Sequence, residues 1–101
     1  MNAIHLKIFS NMEKERLTKV DTHQVLTELS QKLPEGITTK NKTAVLKEVK
    51  KANSGESPRL FWTCWCVDTN GNKFIALYAD GAIHKLMPEN KWKEYSFHAV
   101  K

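Results

Sequence analysis

The chain is short of arginine, of cysteine and of long apolar runs, and each shortage closes off a class of function. Of its sixteen basic residues only Arg16 and Arg59 are arginine; the other fourteen are lysine. Arginine's planar fork reads guanine edges bidentately, whereas lysine is a mobile point charge suited to phosphate. A nucleic-acid partner is therefore expected to be held by its backbone rather than read by its bases. No stretch of about eighteen apolar residues occurs, so nothing is expected to span a bilayer. Polar and apolar residues alternate over residues 4–9, which is not the apolar block of a signal peptide. The two cysteines, Cys64 and Cys66, are two apart. On a strand their Cα atoms would lie roughly 6.5 Å apart and face the same way, a poor geometry for bridging each other. Free thiols without a signal segment point to a reducing, cytoplasmic setting.

Catalytic signatures are lacking as well. There is no glycine-rich phosphate loop, no Gly-x-Ser-x-Gly elbow and no His-Glu-x-x-His helix. The four histidines, His5, His23, His84 and His98, are scattered. Cys64, Cys66 and His84 fall on one expected sheet face, but a strand separates them and no second closely spaced ligand pair exists for a metal. Cysteine between tryptophans is expected to be buried, where it behaves as a small hydrophobe and its thiol stays protonated. The expectation is a binding protein without catalytic residues, metal or cofactor.

What is present fits one domain over residues 1–101, with 41% hydrophobic and 27% charged residues. Residues 4–9 read as a strand. Ser10 and Glu13 form a capping box for a short helix over residues 11–19. Asp21 and Thr22 offer a second cap, and Val25, Leu26, Leu29 and Leu33 make one buried helical stripe. Val45, Leu46, Val49 and Ala52 share an arc of a third predicted helix, residues 41–52. Lys40, Lys47, Lys50 and Lys51 fall on the opposite arc.

Beyond the loop at residues 53–58, residues 61–67 read as a strand. Asn70-Gly71 and Asp80-Gly81 are two-residue hairpin turns, and residues 95–100 add a further strand. The fold class expected is α+β, with an N-terminal strand and two to three helices on one face of a C-terminal antiparallel meander of three to four strands. Pairing outward from Asn70-Gly71 sets Asp68 against Lys73 and Trp65 against Ala76. One face then carries Trp62, Cys64, Cys66, Ile75, Leu77, His84 and Leu86. The other carries Phe61, Trp65, Val67, Phe74, Tyr78, Ile83 and Lys85. Both are apolar, so helices are expected on the cysteine face, and Trp92 with the C-terminal segment, or a partner, on the aromatic face.

Two binding surfaces follow. The net charge of +5 and the lysines Lys40, Lys42, Lys47, Lys50 and Lys51, with Lys85 on the sheet, suit an anionic backbone. A phosphate would also relieve the conflict of Lys40 and Lys42 with a helix N-terminus. The aromatic stripe Phe61, Trp65, Phe74 and Tyr78 suits unpaired bases or a protein hot spot. In element order alone the chain resembles a winged-helix domain. That would make residues 21–33 the supporting helix, residues 40–51 the recognition helix and the Asn70-Gly71 hairpin the wing. The seven-residue connection 34–40 is longer than the turn of a strict helix-turn-helix. The first functional expectation is nucleic-acid binding through the lysine face. The alternative is a protein-binding inhibitor or adaptor, a type found among small phage and plasmid proteins, docking through the aromatic face. A strand edge at residues 4–9 or 95–100 could also pair two copies.

Overall fold

The computed structural model describes residues 21–100. The strand expected at residues 4–9 and the helix at 11–19 lie outside the described residues. Helix α1 spans Thr22–Gln31. It starts where the sequence says it should, with the Asp21 carboxylate accepting from the His23 backbone N–H at 2.9 Å, one of the orphan donors of a helix start. Its stripe, Val25 and Leu29, is buried, with Leu26 and Leu33 packed alongside.

The remainder is one antiparallel sheet: β1 (Ile37–Thr39), β2 (Val45–Lys51), β3 (Arg59–Asp68), β4 (Lys73–Ala79), β5 (Ala82–Pro88) and β6 (Tyr95–Ala99). A six-residue 3-10 helix, Glu89–Glu94, joins β5 to β6. The order is β5-β4-β3-β2-β6, with β1 pairing β3 in line with β2. This corrects the expected helix-covered meander. Among the described residues a single α-helix packs on a six-stranded sheet.

The largest difference is β2, where a third helix was expected. Its apolar residues suit a helical arc, and Lys, Ala, Leu and Glu are good helix formers. The neighbouring strand decides otherwise. β3 is buried along its middle, so its N–H and C=O groups need partners on both sides. β4 satisfies one side; β1 and β2 satisfy the other, pairing Ile37 with Asp68 and Val45 with Thr63. The winged-helix order fails at the same place, because residues 45–51 are strand.

The second correction is one of register. The first hairpin turn has three loop residues, not two. Asp68 N–H donates to Asn72 O and Gly71 N–H to Asp68 O, both at 3.1 Å. Gly71 takes the left-handed conformation, φ 84°, that closes a type I turn with a bulge. Trp65 thus pairs with Ile75 and Cys66 with Phe74. A slip of one residue sends every β4 side chain to the opposite face. Phe74 and Tyr78 pack with the cysteines under α1, and Ile75 and Leu77 join Phe61 on the other side. The Asp80-Gly81 turn keeps its two residues, pairing Ala79 with Ala82. A bulge then sets Leu77 against Lys85 and leaves His84 extra. His84 therefore meets Phe61 edge-on, ring centroids 5.6 Å apart, and Ile83 packs on the cysteine side.

Candidate functional site

Helix α1 covers one face of the sheet. There Cys64 and Cys66 are free and buried beneath Val25 and Leu29. The sulfur of Cys64 beside it and burial together push the Cys66 thiol up. The hydrogen bond with Cys66 instead draws the Cys64 thiol below its ordinary value, against the expectation that burial raises it. Both sulfurs are buried within the core under α1. Among the described residues no three His, Cys, Asp or Glu side chains gather where a metal could sit.

The opposite face is the open face, in that no α-helix among the described residues covers it. It is buried at its centre, where Val49, Phe61, Ile75, Leu77 and Met87 form a second core cluster, and exposed toward its rim. Its chemistry follows from strand alternation. Val45, Lys47, Val49 and Lys51 of β2 share it with Arg59, Phe61, Thr63, Trp65 and Val67 of β3. β4 adds Lys73, Ile75 and Leu77; β5 adds Lys85 and Met87; β6 adds Tyr95 and Phe97. Five of these positions are cationic and none is acidic. Glu48 and Asp68, the acidic residues of the paired strands, have the alternate parity and belong to the helix side.

Two hollows mark this face. The first, of about 380 Å³, is lined by Lys40, Asn41, Trp65, Cys66, Lys73 and Trp92. The rings of Trp65 and Trp92 lie 4.1 Å apart, centroid to centroid, at 59°. Trp92 is fixed by its indole N–H, which donates to Met87 O at 2.9 Å. It thus covers part of the aromatic face, yet Trp65 keeps 36% of its surface exposed. Trp65 is steadied by the break between β1 and β2. Its backbone N–H donates to Asn41 Oδ1 at 2.6 Å, and its carbonyl accepts from Lys40 N–H at 2.7 Å. The second hollow lies around Arg59, Lys85 and Tyr95.

The expected site residues are redistributed. Lys47, Lys51, Lys85, Phe61 and Trp65 share the open face, and Lys40 reaches its edge. Lys42 is exposed in the connection between β1 and β2. Lys50, opposite Ser96, has the helix-side parity. No helix N-terminus exists at Lys40 and Lys42 to hold a phosphate. Phe74 and Tyr78 leave the stripe for the helix side. Phe61 is only 7% exposed, with the Arg59 guanidinium 5.2 Å over its ring. Arg59, Lys73, Tyr95 and Phe97 were not anticipated. They reach this face through strand pairing. The signal within β2 was the period of two in Val45-Lys47-Val49-Lys51, which also fits a strand with lysines on one side.

No protein-family model matches the sequence, no curated protein matches it, and no solved structure matches it. Among the described residues no helix is long and apolar enough to cross a membrane.

Proposed function

We propose that the open sheet face binds single-stranded nucleic acid, mainly through its phosphates, and that the chain is a non-enzymatic binding protein of a reducing, cytoplasmic compartment. The observation that carries this reading is the charge of the face: Lys47, Lys51, Arg59, Lys73 and Lys85 with no carboxylate at any face position of the paired strands. A surface of one sign draws a polyanion, and four lysines to one arginine suit backbone contact. The exposed edge of Trp65, backed by Trp92, offers a base a stacking surface worth about 1–3 kcal/mol. A rigid duplex buries its bases, so a single strand makes better use of such a ring.

The test is binding of labelled random-sequence single strand and duplex at about 50 and 200 mM salt. Each phosphate neutralised on a single strand contributes about 0.7 to the logarithmic salt slope, so five contacts predict about a hundredfold loss. Lys47→Glu with Lys85→Glu should remove most of the binding while leaving the fold intact. Unchanged affinity in that double variant would put the interface elsewhere.

One observation favours a protein partner instead. The exposed large apolar side chains among the described residues, Val45 at 43% and Trp65 at 36%, are both on this face. A protein docked there would show little salt dependence and would be lost on Trp65→Ala.

A further inference from the structure

The second hollow of the open face lies toward the other end of β3 from the Trp65–Trp92 pair. It measures about 230 Å³ and includes Val49, Phe61 and Leu77 in its lining, all three buried members of one core cluster. Lys51, Arg59, Lys85 and Tyr95 also line it, with Lys50, Glu56 and Ser57. Lys85 Nζ donates to the Tyr95 hydroxyl at 2.7 Å, and Arg59 rests over Phe61. Neither contact neutralises a charge. Among the described residues no carboxylate forms an ion pair with Lys51, Arg59 or Lys85. With Lys50 the lining holds four cations against Glu56 alone, a surplus of three positive charges, four less one.

We propose that this hollow takes the phosphate of a nucleoside 5′-phosphomonoester, held by Arg59, Lys51 and Lys85, with the nucleoside at its mouth. The charge argues for a monoester over the internal diester of a strand. A phosphomonoester carries about −1.5 to −2 at neutral pH, which meets more of that surplus than a diester's single charge. The size suits the terminal phosphate group rather than a whole nucleotide, because the hollow is smaller than the about 300–1,000 Å³ typical of drug-sized sites. Arg59 supplies the fork that grips phosphate oxygens in pairs. The position suits the end of a strand: Arg59 lies six residues from Trp65 along β3, roughly 20 Å, with Lys47 opposite Phe61 between them. The strand-end form of the proposal rests on the open-face reading above; a free nucleotide would use the same groups.

The test uses the full chain and three probes: a short single strand ending in 5′-phosphate, the same strand ending in 5′-hydroxyl, and a free nucleoside 5′-monophosphate. The phosphorylated strand should bind about tenfold more tightly than the hydroxyl strand, as expected for charge-assisted hydrogen bonds to the terminal group. Arg59→Gln and Lys85→Gln should each erase that preference while the amide spectrum stays dispersed. A preference without competition from the free nucleotide identifies the strand end. Saturable shifts of the Lys51, Arg59, Lys85 and Tyr95 amides by the nucleotide alone identify the free form. Equal binding of both strands with no nucleotide-induced shifts overturns the phosphomonoester site and leaves the open-face reading standing. Nucleotide shifts without strand binding at low salt overturn that reading and keep the site.

Discussion

Asn41 does with a side chain what a strand does with its backbone. Between β1 and β2 the pairing with β3 is interrupted, and the Trp65 N–H would lose its acceptor there. Asn41 Oδ1 takes the place of the missing carbonyl at 2.6 Å, while Lys40 N–H keeps the Trp65 carbonyl paired. The same bond fixes the backbone from which the exposed indole projects, so stability and the proposed binding meet in one residue. Asn41→Ala should lower the unfolding free energy by about 1 kcal/mol, the usual net worth of such a bond, and speed hydrogen exchange at the Trp65 amide. Asn41→Asp retains the acceptor and should restore both, which an effect of side-chain volume alone would not predict. This role was illegible in the sequence, where Asn41 read as the start of a helix. Only a neighbouring strand twenty-four residues away gives the side chain something to accept from.

At the scale of elements, legibility tracked how local the deciding interaction is. Helix α1 was readable because its cap and its stripe are all within the segment itself. The Asp80-Gly81 turn was readable for the same reason, with Asp80 and Gly81 both at positive φ. Residues 41–52 were not, since their choice of strand over helix answers the needs of β3. The first hairpin failed by one residue because its turn is organised by Asp68 rather than by Asn70-Gly71 alone. The Asp68 carboxylate accepts from the Asn70 and Asn72 backbone N–H groups and from the Asn72 side chain, each at 2.9 Å. The Asn72 amide, aided by those backbone groups, holds its carboxyl below the usual range. A lowered folded-state pKa stabilises the fold above the unfolded value, about 3.9, and that contribution fades as pH falls through the folded value. Asp68→Ala should therefore lower the melting temperature at neutral pH, with the gap to the wild type closing below about pH 4. A gap that persists unchanged into strong acid would show that the carboxylate does not set the turn. The open-face cations were partly legible: Lys85 reads as a sheet residue and is one, Lys47 and Lys51 read as part of a helix face that does not exist, and Arg59 and Lys73 become visible only once strand parity is known.

For the whole molecule, the proposed binding puts separate tasks on the two faces of one sheet, and the tie between the layers can be titrated. The helix side holds the larger cluster, where Leu29, Cys66 and Ala76 are each fully buried. Across it runs a polar link: the Tyr78 hydroxyl donates to Glu28 Oε2 of α1 at 3.2 Å. Burial first, and then the charge and hydrogen bond of Glu28, push the Tyr78 hydroxyl above its ordinary range. A phenol whose folded-state pKa is raised stabilises the fold below the unfolded value, about 10. That stability is lost as pH rises through the folded value, since ionised Tyr78 would leave two anions facing each other across the helix–sheet contact. Denaturant midpoints measured from pH 8 to 11 should fall at the alkaline end, and fall less in Tyr78→Phe, which has no proton to lose. Whatever else titrates is common to both proteins, so the difference between them isolates the phenol. Because Tyr78 belongs to the helix side, Tyr78→Phe should leave nucleic-acid affinity at neutral pH unchanged. A variant with parallel alkaline loss would mean that the link does not tie helix to sheet. Weakened binding at pH 7 would mean that the two faces are not separate.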